Sequence, residues 1–286
     1  MKSSTAVLTF AILIVLLFIS SSYLSHTNPP APEQTQATSF FTQQVNPAGQ
    51  RDDAEVRKFL AKGLHFDSAV ILLGWNQPSL KDLAASGFTV LGTSVNAAYT
   101  KSQRIQIAKW LKSVHDAGFK SYIMLVDTDV TTSGQLIGDF ARLGVDVIVL
   151  DEMISNNGVT QATLLPLIHR GLTVKPDLIF ILNEFEWNAI VAAYRWTTLL
   201  PRVYVASDNY NLRATIDLNI DLATKYGKLP IVWLIFSQGS QNFDCYVNFN
   251  VWAGYVAARG IPTFFYFVDG ADTWTINWNL VAAYPG

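Results

Sequence analysis

The chain has 286 residues, 50% of them hydrophobic, with 20 Lys and Arg against 22 Asp and Glu and a formal charge of −2. That composition excludes general disorder, and the near-neutral balance offers no basic face for nucleic acid. The single cysteine, Cys245, excludes an internal disulfide, and no cysteine–histidine spacing reads as a zinc site.

The N-terminus carries Lys2 and then an apolar block, Ala6 to Ile19, followed by Ser20-Ser21-Ser22. A basic residue ahead of such a block reads as a secretory signal or as an uncleaved anchor. Counted over residues 5–24, the stretch is just long enough to cross a bilayer. Under either reading Lys2 marks the cytoplasmic side and the remainder is exported. Residues 1–25 are therefore a signal peptide or transmembrane anchor rather than part of the fold. Residues 26–50 are rich in proline, glutamine and threonine with no apolar period, and read as a solvated tether. The folded domain is expected over residues 51–286.

From Arg51 one pattern recurs: an apolar run, a polar turn, an amphipathic stretch, then glycine. The segment Asp52–Lys62 reads as a helix over the floor of whatever follows. The runs are Ala69–Trp75, Phe88–Ser94, Ser121–Asp127, Val145–Asp151, Asp177–Asn183, Arg202–Ser207, Ile231–Ser237 and Thr263–Val268. They are nearly continuous in apolar side chains rather than alternating, as parallel strands covered on both faces must be. Between them, Thr100-Lys-Ser-Gln103 and Thr132-Ser-Gly-Gln135 fit the capping box, and Ile107, Leu111 and Val114 recur at helical spacing. Gly87, Gly118, Gly144, Gly171, Gly227 and Gly260 precede runs, where glycine closes a helix in the left-handed conformation. Eight such units predict a (β/α)8 TIM barrel. An open doubly wound sheet is the alternative, but no glycine-rich dinucleotide fingerprint follows the first run.

A barrel's chemistry sits on the loops after its strands. At those positions the sequence places Trp75-Asn76, Asn96, Asp127-Thr128-Asp129, Asp151-Glu152, Asn183-Glu184 with Trp187, Asp208-Asn209-Tyr210, Ser237-Gln238 and Asp269. The histidines, His26, His65, His115 and His169, fall elsewhere, so no histidine-ligated metal is expected. No Lys or Arg lies among these residues, which leaves a phosphate group or a Schiff base without its usual partner. Acids, amides and aromatics suit a neutral or cationic polyol: carboxylates act as acid, base or nucleophile on glycosidic bonds, and aromatic faces stack on sugar rings. The candidate catalytic residues are Asp151, Glu152, Asp208 and Glu184. The candidate substrate-binding residues are Trp75, Asp127, Asn183, Trp187, Asn209, Tyr210 and Asp269. Mutual repulsion and partial burial are expected to raise at least one of the carboxyl pKa values, as a general acid requires.

The segments GVDVIVLDE, residues 144–152, and RVYVASDNY, residues 202–210, resemble the spherulin-like α-galactosaminidases and the related endo-α-1,4-polygalactosaminidase barrels. The resemblance implies a (β/α)8 fold and amino-sugar polymer substrates. It places Asp151 and Glu152 at the family's paired carboxylates and Asp208-Asn209 at its later acidic-Asn position. The later acid here is Asp where that pattern has Glu. Asn183-Glu184 instead resembles the large glycosidase clan whose acid/base glutamate follows asparagine, and that reading makes Glu184 the acid and Asp269 the nucleophile.

The sequence therefore predicts an exported glycoside hydrolase acting on a polysaccharide, needing no cofactor, extracellular or held at the membrane by its N-terminal segment. The alternative is a non-catalytic surface barrel that binds glycan or another envelope component. A carboxylate site for Mg²⁺ or Ca²⁺ is a third, weaker reading.

Overall fold

The computed structural model describes residues 49–74, 78–208, 213–236 and 253–267. The expected signal or anchor, 1–25, and all but the last two residues of the tether lie outside them.

Strands β1 (Lys62–Phe66), β2 (Val90–Val95), β3 (Lys120–Leu125), β4 (Val147–Asp151), β5 (Ile179–Asn183), β6 (Val203–Asp208), β7 (Pro230–Phe236) and β8 (Thr263–Phe267) close into a barrel in chain order. Every neighbouring pair is parallel, including β8 on β1. Helix α1 (Gly49–Leu60) precedes the barrel, and α2 (Ser68–Leu73) and α3 (Leu80–Ala85) join β1 to β2. Then α4 (Lys101–Asp116), α5 (Val130–Arg142), α6 (Gln161–Val174), α7 (Trp187–Thr197) and α8 (Arg213–Tyr226) follow β2 to β6 in turn.

Alternate residues of each strand serve two cores. Leu91, Ile123, Ile148, Phe180 and Val205 pack outward against helix residues such as Ile107, Leu111, Phe140 and Ile190. Val90, Met124, Val149, Ile181 and Trp233 fill the barrel, and Val56 and Leu60 of α1 pack against that inner set. From β3 onward both faces of the strands are largely apolar for this reason, and full burial of each such side chain is worth roughly 1.5–3 kcal/mol. The expected helix at 52–62 is thus present, two residues short of its expected end, and it plugs the floor.

The first run is a correction. Residues 69–75 were expected to be a strand, but Ser68–Leu73 is helical, and β1 lies upstream in Lys-Gly-Leu-His-Phe. Local capping decides it: the Asp67 carboxylate accepts from the Ala69 amide at 2.7 Å, and Gly74 closes the helix at φ 67°. The inward faces of β1 and β2 hold glycine where large rings cross. A Cβ on Gly63 would stand 2.5 Å from the Phe264 ring, and one on Gly92 2.3 Å from the Tyr122 ring.

Two helix signals also resolve differently. Thr100 and Gln103 make the expected capping box, with the Gln103 amide donating to Thr100 Oγ1 at 3.2 Å and the Thr100 amide to Gln103 Oε1 at 2.8 Å. Thr132 does not open α5. Asp129 does, accepting from the Thr132 amide at 2.9 Å and the Thr132 hydroxyl at 2.7 Å. Gly171 lies inside α6, where a Cβ would meet the Phe180 ring at 2.5 Å, so it is a packing glycine rather than a cap.

Candidate active site

Asp151 is the last residue of β4 and shares strand parity with the barrel-lining Val147 and Val149. Its register partner is Asn183, the last residue of β5, whose Nδ2 donates to Asp151 Oδ1 at 2.8 Å. Asn183 is 3% exposed, and its Oδ1 is buried without a hydrogen-bond partner. Glu152 carries the ladder one step further, its amide donating to the Asn183 carbonyl at 2.8 Å. There the backbone turns left-handed, at φ 50°. A residue with a Cβ pays about 1 kcal/mol for that region, and such strain gathers at functional sites. The Glu152 carboxylate accepts from Asn156 Nδ2, and the Asn156 amide donates to the Glu152 carbonyl at 2.8 Å. Asp127, two residues past β3, has the same φ of 50°.

Glu184 follows Asn183 and is wholly buried. Its Oε1 accepts from the Ile154 amide at 2.9 Å, and its Oε2 from the Ser155 amide at 3.1 Å and the Ser155 hydroxyl at 2.7 Å. Both carboxylate oxygens are therefore engaged with the loop that leaves β4.

Burial raises three carboxyl pKa values here. Asp151 rises to about 6: burial leads, the Asn183 amide opposes it, and the charges of Glu184 and Asp127 add to it. Glu152 rises to about 7 through burial, then through the charges of Asp151, Asp127 and Glu186. Glu184 also reaches about 7, because burial outweighs its three donors and Glu152 pushes further up. Among the described residues, every ion pair lies elsewhere, on helix surfaces or around Asp146 at the N-terminal end of β4. Among the described residues, no lysine or arginine forms an ion pair with Asp151, Glu152 or Glu184.

Of the candidate residues, the structure brings Asp127, Asp151, Glu152, Asn183 and Glu184 to the ends of three consecutive strands, β3 to β5. Trp187 begins α7 just beyond and is 56% exposed. Asp208 ends β6, its backbone in register with Trp233, two residues past the Ala206 that pairs with Asn183. Its side chain lies outside the described set, as do Trp75, Asn209, Tyr210 and Asp269. The run expected to lead into Trp75 as a strand is α2.

One histidine departs from expectation. His65 is the penultimate residue of β1 and points into the barrel, 2% exposed, with Nδ1 2.9 Å from the Tyr122 hydroxyl. Its ring stands 4.3 Å from that of Tyr266, and burial drives its pKa down to about 3. Burial thus favours its neutral form near pH 7. No group of three His, Cys, Asp or Glu among the described residues is placed to hold a metal ion. Sequence reading also missed Ser155, since nothing in its neighbourhood marks a partner 29 positions away.

No known family's sequence profile matches the chain, and no curated protein is significantly similar to it. Solved structures are similar in fold. A variant of the citrate synthase SbnG superimposes with a TM-score of 0.51 at 11% identity, over 80% of this chain and 96% of that one. A mandelate racemase/muconate lactonizing enzyme from Bordetella bronchiseptica RB50 gives 0.50 at 10%, over 77% and 56%. An endo-β-1,4-mannanase from Thermotoga petrophila gives 0.47 at 10%, over 73% and 69%. The chain is a (β/α)8 barrel. At such identities the likeness extends to the fold and not to the reaction.

Proposed function

We propose that the protein is an exported glycoside hydrolase that cleaves a polysaccharide, with Asp151 and Glu152 at the scissile bond. One observation carries the reading: two adjacent carboxyl groups at a barrel mouth, raised to about 6 and 7 and unpaired with any described cation. A carboxyl that holds its proton near neutrality can protonate a leaving glycosidic oxygen, while an ionised neighbour stabilises the positive charge that develops on the sugar ring. Asp208, at the end of β6, is the partner across the mouth that the sequence nominates. The exposed Trp187 offers a stacking face to a pyranose. Amino-sugar polymers are favoured by the unneutralised negative charge and by the resemblance of the β4 and β6 segments. Export rests on the apolar block after Lys2.

The test is reducing-end release by the full chain from a panel of neutral and amino-sugar polysaccharides. Asp151→Asn and Glu152→Gln are each expected to lower kcat by about 10³ or more on whichever glycan is cleaved. Wild-type rates in Asp151→Asn would end this reading. Retained glycan affinity with no turnover by the wild type would replace it with that of a binding barrel.

A further inference from the structure

The loop after β4 has no regular structure of its own, yet it carries Glu152. Two fastenings hold it. Met153 is fully buried, its sulfur receiving contacts from the Ser133 hydroxyl at 4.0 Å and from Asn157 Nδ2 at 3.7 Å. Two residues on, the Glu184 carboxylate takes three donors from Ile154 and Ser155. A carboxylate wholly withdrawn from water costs several kcal/mol, and burial of that kind persists where the group has work that an apolar side chain cannot do. All the donors it receives come from this one short loop, whose first residue, Glu152, has the left-handed backbone.

We propose that Glu184 is a positioning residue: it clamps the loop after β4 and so holds Glu152 in its left-handed conformation at the barrel mouth. The role for Glu152 rests on the hydrolase reading above, whereas the clamp stands on geometry alone. Glu184 is wholly buried with both oxygens turned to the loop, so it acts through its neighbour rather than on the sugar. The charged groups that act on it among the described residues are Asp151 on β4 and Glu152 beyond it, both acidic. Charge attraction therefore contributes nothing to holding it. Directed hydrogen bonds from the loop do, and those fix orientation as well as distance.

Two variants of the full chain separate the clamp from the cluster's charge. Ser155→Ala removes only the hydroxyl donor and keeps every carboxylate. Glu184→Gln keeps the shape but turns one acceptor into an amino group facing donors. Hydrogen exchange at the Ile154 and Ser155 amides is expected to rise about tenfold in Glu184→Gln and a few-fold in Ser155→Ala, with the amides of α6 unchanged. The carboxyl titration of Glu152, followed by NMR, is expected to move down by about half a pH unit in Ser155→Ala, because a released side chain regains water. On any hydrolysed glycan, Glu184→Gln is expected to lower kcat about tenfold with little change in KM. Unchanged exchange at both amides together with an unmoved Glu152 titration in Ser155→Ala overturns the proposal, even if Glu184→Gln fails to fold. Exchange and titration need no substrate, so a wild type inactive on every glycan defeats the hydrolase reading and leaves the clamp to be decided by these two measurements.

Discussion

Asp146 and Asp151 flank one strand and meet opposite fates. Burial works to raise the Asp146 carboxyl, but the Ser121 amide, His115, Lys175 and Lys120 together outweigh it and hold it below its ordinary value. Asp151 has one amide donor and two acidic neighbours, and burial wins. The difference has a consequence for stability. A carboxyl whose folded pKa is raised binds its proton more tightly in the folded state. Its stabilisation is complete below the unfolded pKa and is lost as pH rises through the folded value. For Asp151, Glu152 and Glu184 that window runs from about 4 to about 7. Glu184 alone, raised from 4.5 to about 7, corresponds to roughly 3 kcal/mol. Asp146 acts in the opposite sense only below its ordinary range. Thermal unfolding of the wild type is therefore expected at a Tm about 5 °C or more higher near pH 5 than near pH 8. Asp151→Asn should reduce that difference, and a Tm that climbs steadily from pH 5 to pH 8 would show the acids to be neutralised.

At the level of the strand and helix, the glycines divide into two kinds that a substitution can tell apart. Gly92 sits against the Tyr122 ring, where a new Cβ would meet carbon at 2.3 Å inside a filled barrel. Gly144 has open space around its Cβ position but a φ of 87°. Gly92→Ala is expected to cost about 3 kcal/mol or more by overpacking, and Gly144→Ala about 1 kcal/mol by backbone strain alone, both read from urea denaturation midpoints. The same crowding hid β1 from sequence reading. Its inward positions are Gly63 and His65, so Lys-Gly-Leu-His-Phe lacks the doubly apolar character that made β3 to β8 legible, and the aliphatic run of α2 drew the assignment instead. Asp151 and Glu152 were legible because an apolar run ending in two acids has few interpretations. The hydrogen bond from Asn183 to Asp151 and the bonds of Glu184 to Ser155 were not, because they depend on register between strands and on the path of a loop. Neither leaves a periodic trace in the chain.

At the scale of the whole barrel, the charge of the described residues is sorted by end. At the N-terminal floor a cavity of about 150 Å³ is lined by Glu55, Phe59, Lys120, Asp146, Asp177 and Arg202, so both signs meet there and Asp146 is paired. At the opposite mouth stand the acids Asp127, Asp151, Glu152, Glu184 and Glu186, none of them in an ion pair among the described residues. The total charge of −2 conceals this, because it averages two unlike faces. An uncompensated mouth attracts a cationic polymer over a range set by the Debye length, about 10 Å at 0.1 M salt. A neutral polymer of the same length feels none of it. If amino-sugar polymers are substrates, raising the salt from about 0.02 M to about 0.5 M should raise KM for a de-N-acetylated polymer roughly tenfold, while kcat and the KM for its N-acetylated counterpart stay within about twofold. Equal salt dependence for the two polymers would mean that the mouth does not select by charge. Specificity would then lie in the shape of the sugar, and the exposed face of Trp187 would be the place to look for it.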